Sequence, residues 1–179
     1  MSTAVSPITV EQFLALPEDE AVRRELIGGE VIEMAYAGQP HEVVKSNFFR
    51  ELGAYFKANP IGRVMGETAY QLTPHDCPMP DVSVILGNRL TLGYTGLISV
   101  APDIAVEVVS SEPAAALQAK IKLYLGHGAR AVWVAYPELR IIHVCDATGV
   151  RELSDDQCLD APTLLPGFSV PASTLFEGL

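Results

Sequence analysis

Positive charge is in short supply in this chain. Its 179 residues carry 12 Lys and Arg against 22 Asp and Glu, a formal net charge of −10. That balance favours solubility and argues against a general coating role on nucleic acid, while leaving room for a small local basic patch. Cysteine is scarce as well. Cys77, Cys145 and Cys158 are odd in number and far apart, so they offer no CxxC pair and no disulfide framework. A reducing cytoplasm is the simplest home for such a chain. No stretch reaches the ~18 apolar residues that a membrane helix needs. Met1–Val10 is polar and lacks the basic start and apolar run of a signal peptide. There is no phosphate-cradling glycine loop, since Gly28-Gly29 reads as a hairpin turn. His41-Glu42-Val43-Val44-Lys45 opens like a zinc-protease helix but lacks the second histidine.

What is present is material for a core. Hydrophobic residues make up 49% and charged residues 19%, the reverse of a disordered composition. The length suits one domain. Thr9 to Leu16 reads as a short helix, with Thr9 as N-cap and Gln12 in the capping-box position. Pro17 and the acidic run Glu18–Glu20 end it. Glu25–Ile27 and Glu30–Met34 flank Gly28-Gly29 as a β-hairpin. Pro40 and His41 open a second helix to about Ala58, with Val44, Phe48, Leu52 and Tyr55 on one face and Asn59-Pro60 as its stop.

Strands follow at Gly62–Leu72, Asp81–Leu86 and Asp103–Val109, with a loop at Thr73–Met79 and a glycine-punctuated connection at Gly87–Gly96. Pro113 precedes a helix over Ala114–Leu125, which Gly126 and Gly128 close. Ala131–Tyr136 is a further apolar strand, and Arg140–Asp146 reads as an edge strand ending in a turn at Asp146–Gly149. The tail holds short strand-like pieces. A strand–helix–strand crossover implies a parallel pair, and the unbroken apolar runs suit strands covered on both faces.

One residue violates this pattern. Glu107 stands inside Ile104-Ala105-Val106-Glu107-Val108-Val109. A buried lone carboxylate costs several kcal/mol, so Glu107 needs a cation, either an Arg or Lys partner or a metal. The following helix offers Lys120, on the flank of the inward face set by Leu117, Ile121 and Tyr124, while Lys122 points to solvent. Asp81 opens its strand after Pro80, in phase with Ser83 and Ile85. Two carboxylates and a lysine form a chemical set. Hard oxygens suit Mg²⁺ or Mn²⁺, such a metal activates water and neutralises phosphate, and an ammonium steadies the attacking hydroxide. The plainer alternatives are a structural Glu107–Lys120 ion pair and a snorkelling Lys120.

Pro80-Asp81, Glu107-Val108-Val109 and Lys120 resemble the PD-(D/E)XK nuclease superfamily, in the variant whose lysine has moved to the next helix. More closely, the chain resembles the Uma-type family, a large bacterial group regarded as endonucleases and once filed as domain of unknown function 820. The matching pieces are Thr9–Leu14, Glu25–Glu30, His41, Pro80-Asp81-Val82, Pro102–Ser110, Lys120–Tyr124 and Val132-Trp133-Val134.

The resemblance implies a single restriction-endonuclease-like α/β (α+β) domain over residues 1–179. Its core, at about 40–137, is a mixed central sheet flanked by helices. An N-terminal helix and hairpin at 8–35 and C-terminal strands and tail at 138–179 complete it. The resemblance also implies Asp81 and Glu107 as ligands of Mg²⁺ or Mn²⁺, Lys120 as catalytic lysine, and roles near the site for Glu25, Glu30 and His41. The activity it implies is metal-dependent cleavage of DNA, and a homodimer suits a duplex-cutting enzyme with one site per chain.

Some positions depart from the family pattern. Ser110-Ser111-Glu112 replaces Ser-Pro-Ser, Ala116 replaces an acid four residues before the lysine, and Ala135-Tyr136-Pro137 replaces Val-Asp-Pro. A nuclease-fold module without turnover, acting in binding or assembly, therefore stands as the alternative. Other polar residues have plain readings. His41 reads either as a second layer around a metal or as a helix-start surface residue, the latter being the default. His75 and Asp76 read as a solvated loop, Lys45, Arg50 and Lys57 as a solvated helix face, His127 and His143 as core or surface, and Trp133 as core.

Overall fold

The computed structural model describes residues 6–17, 19, 22–35, 37–91, 93 and 95–179. Parts of the acidic run at 18–20 and of the connection at 87–96 lie outside the described residues, as does the first half of the polar N-terminus. The first helix, α1 (Val10–Leu14), starts on the predicted cap. The Thr9 hydroxyl accepts from the Gln12 N–H at 3.3 Å, and the Gln12 side chain accepts from the Thr9 N–H at 2.8 Å. A hairpin of β1 (Val22–Ile27) and β2 (Glu30–Ala35) turns on Gly28 and Gly29, both at positive φ. The helix α2 (Gln39–Ala58) buries His41, Val44, Phe48, Leu52 and Phe56 along one stripe. Tyr55 lies at the edge of that stripe, its hydroxyl donating to the Pro166 carbonyl.

Six strands form the central sheet: β3 (Gly62–Gly66), β4 (Val82–Leu86), β5 (Ile104–Val108), β6 (Ala131–Tyr136), β7 (Ile141–Asp146) and β8 (Gly149–Leu153), neighbours in that order. Among these six strands only β5 and β6 pair in parallel, joined by the crossover helix α3 (Ala114–Gly126). The rest are antiparallel, so the sheet is mixed. Two sequence expectations change. The strand predicted over 62–72 ends at Gly66, because Glu67 takes a positive φ of 41° that breaks the extended path, and Tyr70 then bridges to Ile98. The strand at 141–146 is interior rather than an edge, because the Asp146–Gly149 turn folds β8 against it.

The alternation of side chains puts a core on each face. Val82, Val84, Val106 and Trp133 meet Phe48 and Leu52 of α2 on one side. The C-terminal pieces β9 (Cys158–Asp160), β10 (Ser169–Pro171) and α4 (Ala172–Leu175) close that layer, with Phe168 stacked on Trp133 at 6.0 Å between ring centroids. Ala105, Val132 and Val134 meet Leu117, Ile121 and Tyr124 of α3 on the other. Glu107 shares this second face, which sends its carboxylate toward α3.

Candidate active site

The predicted residues meet at the C-terminal end of β5, where open α/β sheets place their ligand crevices. Asp81 stands one residue before β4, and its Oδ2 accepts the Val108 N–H at 2.8 Å. That bond locks the carboxylate of one strand to the backbone of the next. Glu107, 2% exposed, accepts from the Lys120 ammonium at 2.7 Å and from the Tyr124 hydroxyl at 2.9 Å. Lys120 and Tyr124 are four residues apart on α3, so one helix face delivers both. The tertiary structure thus brings Asp81, Glu107 and Lys120 into one cleft of about 500 Å³. Lys122 is exposed, as its helical phase predicts.

Two residues complete the site from the hairpin. Glu25, 1% exposed, accepts from Lys120 at 3.1 Å, so the ammonium sits between two carboxylates. Arg23, two residues earlier on the same face of β1, donates to Asp81 Oδ1 at 2.8 Å, to Glu25 at 3.3 Å and to the Met79 carbonyl. Glu25 is legible in the sequence only through the family resemblance, and Arg23 through neither motif nor resemblance. A strand-phase count pairing Arg23 with Glu25 was the signal available. The helical phase of Tyr124 predicts that it faces inward, but does not reveal the hydrogen bond it donates to Glu107.

His41 corrects its default reading as a surface residue. It is buried at the start of α2, with Nε2 3.1 Å from Asp81 Oδ2 and Nδ1 3.2 Å from Glu42. The first turn of α2 therefore points at the site rather than at solvent. Glu30 lines the mouth of the cleft and is exposed. His75 and Asp76 stay away from it. His75 donates to the Ile8 carbonyl at 2.8 Å, and Asp76 accepts the Gly28 N–H at 2.6 Å, so both clasp the hairpin. Lys45 pairs with Glu42 and Glu67 beside the cleft, Arg50 with Glu51, and Lys57 is exposed. Trp133 is fully buried core.

Charge sets the protonation pattern. Burial alone would raise the Asp81 carboxyl, yet His41, Arg23 and the Val108 N–H hold it well below the usual carboxylate range. Burial pushes Glu107 up to about 8, with Lys120 pulling back and Asp81 and Glu25 adding to the rise. Burial would lower Lys120, but Glu107 and Glu25 outweigh it and keep the ammonium charged. His41 is likewise raised: burial opposes its charge and Asp81 and Glu42 favour it. Glu112, in the turn before α3, is raised by burial, and its Oε1 is buried without a hydrogen-bond partner.

A divalent metal fits the donor chemistry in one specific form. Among the described residues no group of three or more His, Cys, Asp or Glu side chains converges tightly enough to hold an ion by itself. Mg²⁺, however, is commonly held by one or two carboxylates, with water and substrate phosphate completing the shell. Asp81 and Glu107 supply hard oxygens, and the partnerless Glu112 Oε1 in the same cleft marks a place that favours positive charge.

Residues 10–173 match the family model Uma2, described as "Putative restriction endonuclease". The chain belongs to the Uma2 family. A solved structure from Anabaena variabilis, described as a putative nuclease of the DUF820 family, superposes with a TM-score of 0.83 at 24% identity, covering 95% of this chain and 98% of the other. That likeness establishes the restriction-endonuclease-like fold. A complex of DrdV with DNA also matches, at 10% identity over 78% of this chain and 14% of that one, with a TM-score of 0.33. That match is too distant to bear on the Uma2 protein. No curated protein matches its sequence significantly. Among the described residues, no helix is long and apolar enough to cross a membrane.

Proposed function

We propose that this Uma2-family protein is a metal-dependent endonuclease that hydrolyses DNA phosphodiester bonds. The observation that carries the reading is the buried Lys120–Glu107 contact at 2.7 Å in the same cleft as Asp81. Asp81 and Glu107 would hold one Mg²⁺ or Mn²⁺, which when bound supplies an activated water and neutralises phosphate charge. Lys120 orients the attacking water and offsets developing negative charge. Glu25 fixes Lys120 from its other side, and Tyr124 fixes the Glu107 carboxylate. His41 and the Val108 N–H hold Asp81 in the ionised form that a metal requires.

The cleft's own charge supports the dependence on a cation. Glu25, Glu30, Glu33, Glu42, Glu67 and Glu112 line it beside Asp81 and Glu107, against Arg23, His41 and Lys120. A polyanion enters such a cleft only with divalent ions to offset the carboxylates. The test is a supercoiled plasmid incubated with Mg²⁺ or Mn²⁺ and with wild type, Asp81→Ala or Glu107→Ala. Nicking by wild type that falls to background in both variants is the expected result, and equal nicking by all three removes the enzymatic reading. Lys120→Met should cut ~10²–10³-fold more slowly while still binding Mn²⁺.

One observation favours a second reading, a binding module without turnover. Each proposed metal ligand is already engaged by a side-chain cation, Asp81 by Arg23 and Glu107 by Lys120. Calorimetric titration with Mn²⁺ separates the two. A folded protein that takes up no Mn²⁺ in the millimolar range is the module. A two-fold dimer would present one site to each strand of a duplex. Light scattering after gel filtration should then give about twice the chain mass of 19.3 kDa.

A further inference from the structure

Asp81 has no idle oxygen. Oδ2 accepts the Val108 N–H at 2.8 Å and lies 3.1 Å from His41, while Oδ1 accepts from Arg23 at 2.8 Å. The two contacts on Oδ2 come from a strand backbone and from a buried histidine at the head of a 20-residue helix, so both are fixed in place. Arg23 differs. It stands near the start of a two-stranded hairpin outside the central sheet, and its side chain keeps 17% exposure to the cleft. A divalent ion on Asp81 must therefore compete with Arg23.

Among the described residues, the cleft is lined by three cationic side chains with unequal partners. Lys120 is buried between Glu107 and Glu25. His41 is held between Asp81 and Glu42. Arg23 has capacity to spare: a guanidinium offers five N–H donors, and its Nε is buried without a partner. Its planar fork matches the oxygens of a phosphate, which a point charge such as an ammonium does not.

We propose that Arg23 is the phosphate-binding residue of this site, resting on Asp81 and Glu25 and passing from Asp81 to a substrate phosphate when a divalent ion takes Asp81. The inference rests on the nuclease reading above and adds a coupling between metal and substrate. With a divalent ion on Asp81, the Arg23 guanidinium would leave that carboxylate and bind the phosphodiester. Each event favours the other. The Arg23 guanidinium is thereby neutralised by Asp81 and Glu25 until a metal is present.

The experiment uses the full chain and two probes. Mn²⁺ affinity is read by calorimetry, and affinity for a short fluorescent DNA duplex by anisotropy in Ca²⁺ and in EDTA. Arg23→Gln removes a like charge beside the metal position, so Mn²⁺ should bind it ~10-fold or more tightly than wild type, equivalent to about 1.4 kcal/mol. Duplex affinity in Ca²⁺ should fall ~10-fold or more, because a charged phosphate contact is lost. Arg23→Lys should lie between the two in both measurements, and it carries the test if thermal unfolding shows that Arg23→Gln does not fold. Unchanged or weaker Mn²⁺ binding by the glutamine variant overturns the competition, and unchanged duplex affinity overturns the phosphate contact. Asp81→Asn separates this inference from the function itself. If that variant binds Mn²⁺ like wild type, the metal reading fails. The Arg23 contact then stands or falls on whether Arg23→Gln weakens the duplex in Ca²⁺.

Discussion

Glu107 and His41 both bind a proton more firmly in the folded protein than in the unfolded chain. Burial lifts Glu107 from an ordinary 4.5 to about 8, and Asp81 with Glu42 raises His41 above its ordinary 6.5 against the effect of burial. The sign follows from linkage: where the native state holds more protons, stability falls as pH rises. The cost of ionising Glu107 begins above about 4.5 and is complete near 8. The stabilisation from charged His41 is whole below 6.5 and is lost as pH passes its raised folded value. Asp81 works the other way, losing stability only below its ordinary 3.8. Urea midpoints should therefore be highest in mildly acidic buffer and decline from about pH 5 to pH 8. Glu107→Gln should flatten that decline, and a parallel decline in this variant would refute the assignment. Tyr124→Phe leaves one oxygen of buried Glu107 without its donor and should cost ~1–3 kcal/mol by urea unfolding.

At the scale of elements, the hairpin decides whether a site exists. It contributes Arg23 and Glu25 but lies outside the central sheet. Its position is set by the Leu26–Cys77 backbone bridge, by the Gly29 N–H donating to His75 at 2.8 Å, and by Asp76 accepting from Gly28. The two turn glycines are not equivalent. Both have positive φ, but a Cβ at Gly28 meets nothing within 4 Å, whereas one at Gly29 would lie 2.4 Å from the Pro7 side chain and 2.8 Å from its Cα. Gly28→Asn should fold with a urea midpoint near wild type, since Asn tolerates that backbone region. Gly29→Ala combines a forbidden φ with a collision and should lose more than ~1 kcal/mol, with weakened Mn²⁺ affinity as Glu25 shifts. Equal midpoints for the two variants would contradict this account.

For the whole molecule, the net charge of −10 limits how nucleic acid is approached. Long-range attraction is missing, so recognition depends on the divalent ion and on few basic contacts. Duplex binding should be negligible in EDTA and appear with Ca²⁺. The slope of log affinity against log salt should be shallower than about −4, because each neutralised phosphate contributes ~0.9. A steep slope would instead point to a basic surface patch that contacts several phosphates.

The sequence by itself determined the elements and their layering, because hydrophobic period is a local property. α2, β4 to β6 and α3 lie where their patterns put them, and Glu107 declared itself as a charge in an apolar strand. What remained open was who answers that charge. Pro80-Asp81 and Pro102-Asp103 look alike in sequence, yet Asp103 clasps the Leu86 N–H and Arg89 while Asp81 faces the cleft. Arg23 reaches Asp81 across 58 residues, and Lys120 reaches Glu25 across 95. The burial of His41 against Asp81 was equally non-local. Such pairings are fixed by packing between elements rather than by periodicity within one, so only the tertiary structure decided them.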